Sequence, residues 1–159
     1  MTSQDTTQAT IPSESAEIQS KTLVDKDIVK ATPKFTEEEL MTIFDEIIFS
    51  GEYEEVVTIK GKLKVTFRAR SAEDTVAISK DIDAKNFTLI STLQEHRSLL
   101  NLAYSMIGYA GRDLKSVTIE DRKKTINKLP AVVVGAVSEA LTRFDFKISE
   151  ACKSAEENF

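Results

Sequence analysis

The chain has 159 residues, 41% of them hydrophobic and 30% charged, with a formal net charge of −5 and a single cysteine. That length and balance allow one domain with a buried core, while the acidic surplus disfavours general nucleic-acid binding, which draws on a basic surface to displace counterions from phosphates. One cysteine excludes an intramolecular disulfide and a cysteine-based zinc site within the chain, and no apolar run approaches the roughly 18 residues that span a bilayer.

Residues 1–34 are rich in Ser, Thr, Gln and Asp, hold Pro12 and Pro33, and offer only the small apolar pairs Leu23-Val24 and Ile28-Val29. So polar a segment buries too little to offset its ordering entropy. The expectation is an N-terminal arm over 1–34, flexible alone or held extended against neighbouring chains, with Leu23, Val24, Ile28 and Val29 as its contact points. Its first eight residues carry neither the positive charge nor the apolar stretch of a signal peptide.

A different pattern begins at Phe35. Thr36 with Glu39 is a capping-box signature, and Leu40, Ile43, Phe44, Ile47 and Ile48 recur at the spacing of one helical face, so a helix is expected over 36–49. Ser50-Gly51 ends it, because glycine tolerates the left-handed conformation just past a helix end. Two strands follow, joined around Lys60-Gly61-Lys62. Setting Ile59 opposite Leu63 brings Val57 to Val65, Glu55 to Phe67 and Tyr53 to Ala69 on a largely apolar face; Thr58 then meets Lys64, Val56 meets Thr66 and Glu54 meets Arg68 on the other. A shift of one residue puts Val57 against Lys64 and loses the separation, so a loop of about three residues is expected. A hairpin is marginal alone and needs helices on its apolar face.

Ser71, followed by Glu73 and Asp74, starts a second helix that runs to about Asp83. A third, from about Asn86 to Gly108, carries Leu89, Leu93, Leu100, Ala103, Tyr104 and Ile107. Leu99, Leu102 and Met106 widen that arc until the second half reads as buried on most sides, which makes this the expected central helix. Gly108 to Asp113 reads as the loop that breaks it. Thr118 with Asp121 opens a short fourth helix to about Asn127. Pro130 starts the last, whose stripe is Val133, Ala136, Val137, Ala140, Leu141, Phe144 and Ile148. The expected class is α+β, predominantly helical: one β-hairpin packed on about five helices in a single domain over 35–159, preceded by the extended arm.

Residue types that carry catalysis are sparse. His96, the one histidine, stands beside Glu95 and Arg97 and reads as a solvated or lightly hydrogen-bonded surface residue with no second histidine to share a metal. No nucleophile-elbow pattern surrounds a serine, and Gly51, Gly61, Gly108, Gly111 and Gly135 form no phosphate-cradling loop. Glu37-Glu38-Glu39 and Glu54-Glu55 read as the solvated starts of a helix and a strand, and Cys152 as incidental near an exposed C-terminal end. The expectation is a chain without catalytic residues, cofactor, metal or small-molecule substrate. One charge pattern stands out: Lys60, Lys62, Lys64, Arg68 and Arg70, with no carboxylate between Val56 and Ala72. Such cations protect a sheet from edge-to-edge association; equally, they suit docking onto an acidic neighbour, where they steer association.

The block Ile43-Phe-Asp-Glu-Ile-Ile-Phe-Ser-Gly-Glu-Tyr53, the run Leu63-Lys-Val-Thr-Phe-Arg-Ala-Arg70, the stretch Leu102-Ala-Tyr-Ser-Met-Ile-Gly-Tyr109 and the ending Leu129 to Lys147 together resemble small tail-assembly chaperones and baseplate-hub assembly proteins of tailed bacteriophages. The resemblance spans roughly residues 36–150 and rests mostly on core positions and turns. It implies a non-enzymatic part of a tail or baseplate that binds other tail proteins, and copies of itself in a symmetric assembly, in the host cytoplasm or in the virion. It also implies an alternative, a chaperone that leaves before the particle matures. It brings no catalytic residues to this chain.

Overall fold

The computed structural model describes residues 34–157; Leu23, Val24, Ile28 and Val29 lie outside the described residues. The first helix, α1 (Glu37–Ser50), begins as its sequence dictates. The Thr36 side chain accepts the Glu39 N–H at 3.3 Å, and the Glu39 carboxylate accepts the Thr36 N–H at 3.0 Å, so two otherwise orphaned donors are satisfied reciprocally. Gly51 closes it at φ 73°, with its N–H on the Ile47 carbonyl.

Strands β1 (Glu54–Ile59) and β2 (Leu63–Arg68) pair antiparallel in the expected register, from Ile59 opposite Leu63 to Glu54 opposite Arg68. Between them, Lys60 at φ 49° and Gly61 at φ 67° reverse the chain, and the Lys62 N–H reaches the Ile59 carbonyl at 3.1 Å. Helix α2 (Ala72–Asp83) repeats the reciprocal cap with Ser71 and Asp74.

The third helix departs from expectation at both ends. Helix α3 spans Ile90–Ser105. At its start, Leu89 offers no capping oxygen, and Phe87 instead lies against His96 with ring centroids 5.3 Å apart. At its end, Met106, Ile107, Gly108 and Tyr109 form β3 rather than a last helical turn. Met106 pairs with Phe67, Gly108 with Thr66 and Tyr109 with Val65, across an irregularity between Thr66 and Phe67. The run Gly108 to Asp113 is therefore a second hairpin, not a plain loop. Tyr109 and Gly108 pair with Arg112 and Asp113 of β4 (Arg112–Asp113), and Ala110 (φ 50°) and Gly111 (φ 80°) make the turn. One hairpin becomes a four-stranded antiparallel sheet in the order β1-β2-β3-β4. Helices α4 (Ile119–Asn127) and α5 (Ala131–Glu157) complete the α+β, mainly helical fold, with five helices among the described residues.

The apolar sheet face lies under α5. Phe144 stacks on Tyr53 at 5.7 Å and 8° and packs tilted on Phe67 at 5.7 Å. Val65, Phe67, Leu102, Met106 and Val137 are almost wholly buried around them, with Ile43 of α1. The widened apolar arc of α3 is indeed covered, with Leu100, Leu102 and Ala103 buried. Arg122 of α4 is also buried, which its polar helix did not announce. It donates from Nε to the Leu114 and Val117 carbonyls at 3.0 and 3.1 Å, from Nη1 to Ala103 at 3.2 Å and from Nη2 to Lys115 at 3.1 Å. One guanidinium thus satisfies carbonyls where α3 ends and where the chain leaves β4.

Candidate protein-binding surface

The five cations singled out in the sequence separate into two groups. Arg68 and Arg70 are held inside the chain. Arg68 pairs with Asp74 at the start of α2, at 3.0 Å. Arg70 donates to the buried Ser105 hydroxyl and to Asp145 of α5, each at 2.8 Å, tying the end of β2 to α3 and α5. Neither is a free docking charge. Lys60, Lys62 and Lys64 are exposed, and none of them takes part in an ion pair among the described residues.

The second hairpin brings further groups to the same side of the sheet. Because residues alternate faces along a strand, Val56 and Lys64 share the uncovered face with Thr66. Together with Gly108, Arg112 and Lys115 they line a shallow depression of about 310 Å³. Val56 is 60% exposed. Lys115 is held by Glu54 at 2.8 Å, and that hydrogen bond raises its pKa. Gly108 leaves the room: a Cβ there would stand 2.7 Å from Thr66 Oγ1 and 2.9 Å from Thr66 Cβ. The sequence places Val56 on the face of Lys64, but not Arg112 beside them, since nothing local reveals that the 108–113 segment folds beside β2.

A wider groove of about 850 Å³ runs between α3 and the start of α5, floored by Leu99, Leu102, Ile126, Leu129 and Val134. His96 stands on its rim, more enclosed than a surface residue, with a side chain only 12% exposed and Nε2 at 3.1 Å from Asp81. Lys123 also reaches that carboxylate at 3.1 Å and Lys85 at 3.7 Å. Burial pushes the Asp81 pKa up, but hydrogen bonds from His96 and Lys123 and the charge of both lysines hold it below the ordinary carboxylate range. No hydroxyl or thiol is hydrogen-bonded to the His96 ring among the described residues. Asp81 with His96 and Lys123 ties α2, α3 and α4 together. Cys152 is half-buried on α5 rather than exposed.

No family model, curated protein or solved structure matches the chain. Among the described residues, no helix is long and apolar enough to cross a membrane.

Proposed function

We propose that this chain is a non-enzymatic structural or assembly protein of a bacteriophage tail or baseplate, acting through protein–protein contacts made by its β1-β2 hairpin and the uncovered sheet face. The carrying observation is the exposed Lys64 beside Arg112 and the exposed Val56 on one face, with exposed Lys60 and Lys62 in the adjoining turn. An apolar centre with cations around it suits an acidic protein partner, for which the charges steer encounter and the apolar contact retains it. The four blocks that resemble phage tail proteins correspond to α1, β2, the α3-β3 junction and α5, the elements that meet in the core.

The groove between α3 and α5 favours a second reading, a cytoplasmic chaperone that holds an apolar segment of a tail protein and then departs. Ile90 and Val132, 75% and 74% exposed, stand on the two helix starts that flank it. Mass spectrometry of purified particles and of infected-cell lysate separates the readings. A structural part is present in particles at a fixed copy number; a chaperone is absent from them and bound to a tail protein in the lysate. A chain found in neither state overturns both.

A further inference from the structure

The outer edge of β1 carries a regular row of backbone groups with no partner strand among the described residues. The Ala69 N–H bonds to the Tyr53 carbonyl at 2.8 Å, which fixes the ladder phase: Tyr53, Glu55, Val57 and Ile59 point their backbone groups toward β2, and Glu54, Val56 and Thr58 point theirs outward. β1 is terminal in the sheet, and no hydrogen bond among the described residues engages those outward groups. Proteins usually blunt such an edge with lysine, proline, a bulge or short length. The other edge, β4, is two residues long. β1 is six, with no lysine, proline or bulge inside it, and Val56 exposed at its centre.

About Val56 one pair of opposite charges, just beyond the two ends of the strand, is symmetrically placed. Glu52 lies as far before it as Lys60 lies after it, and Glu54 as far before as Thr58 after. We propose that β1 is the interface for a second copy of this chain, paired antiparallel with Val56 opposite Val56 on a two-fold axis. In that register Glu54 and Thr58 exchange hydrogen bonds across the axis, Glu52 of one copy meets Lys60 of the other, and on the covered face Tyr53 meets Ile59. The two sheets join into one of eight strands, as two four-stranded sheets sharing an edge must. A parallel alignment sets Glu54 beside Glu54 and Lys60 beside Lys60, and like charges directly opposite are unfavourable. The partner is a second copy, whose Glu52 and Lys60 come in the reversed order that antiparallel pairing needs, and the contact is isologous and closes. This interface does not depend on the phage reading.

Sedimentation velocity of the full chain at low salt, over roughly micromolar to hundred-micromolar concentrations, the range of modest association, is expected to show a monomer–dimer equilibrium. Val56→Pro removes only an outward N–H, which an edge strand tolerates, and should abolish the dimer while leaving the circular dichroism unchanged. Glu52→Lys and Lys60→Glu should each raise the dissociation constant about tenfold, and the double variant should restore it. A chain monomeric throughout, a folded Val56→Pro variant that still dimerises, or a double variant no tighter than the singles each overturns the proposal. Should Val56→Pro fail to fold, the charge exchange decides.

Discussion

Gly108 shows how one residue can hold two strands at their working distance. Its missing Cβ is occupied by Thr66, a β-branched side chain with little freedom to retreat. Gly108→Ala should therefore cost about 1–3 kcal/mol, the usual penalty of overpacking, read as a lower urea midpoint at unchanged slope. Arg122 works in the opposite sense, by filling polar need. Arg122→Met keeps much of the volume but strips a donor from the buried Ala103 carbonyl and from those of Lys115 and Val117, while Leu114 keeps the Val117 N–H, and should cost about 1–3 kcal/mol, since an unsatisfied buried acceptor carries its desolvation penalty. Asp81 sets a pH dependence. Its folded pKa is depressed, so its contribution is present above the unfolded value of about 3.9 and is lost as pH falls through the folded value. Denaturant midpoints of wild type and Asp81→Asn should differ at neutral pH, and the difference should begin to shrink only as pH falls below about 4.

Among the elements, those with complete local signals follow the sequence closely. The capping boxes of α1 and α2 and the side-chain partition of β1 and β2 each specify one arrangement, and the structure has it. The β3-β4 hairpin had no such signal: its turn is Ala110-Gly111, where alanine takes φ 50° in place of the asparagine or aspartate that marks such turns. Leu102 to Tyr109 also keeps a helical spacing of apolar residues, and only pairing with β2 pulls Met106 and Ile107 out of the helix. The same element-level view corrects the charge reading. Arg68 and Arg70 serve α2 and α5, so a test of docking belongs to the hairpin lysines. The triple variant Lys60→Glu, Lys62→Glu, Lys64→Glu should leave the thermal midpoint within a few degrees, as surface changes usually do. It should weaken partner capture more at low salt than at high salt, because exposed charges are screened over about 8 Å at physiological ionic strength; equal loss at every salt concentration would indicate a folding defect.

At the scale of the molecule, the described residues, 34–157, form one compact unit whose core draws on α1, the sheet, α3 and α5. A fragment of those residues should unfold cooperatively with a midpoint within a few degrees of the full chain, measured by scanning calorimetry; a broad, non-cooperative transition would refute the division near residue 34. The capped starts of α1 and α2, the β1-β2 register and the apolar stripes were determined by the sequence alone, because each is set by neighbours within a few positions along the chain. The growth of the sheet from two strands to four, the burial of Arg122, the capture of Arg68 and Arg70 and the place of β1 at the end of the sheet among the described residues were decided only in three dimensions. Each depends on which distant segment comes to lie alongside, and a strand or a buried charge is defined by that partner rather than by its own residues.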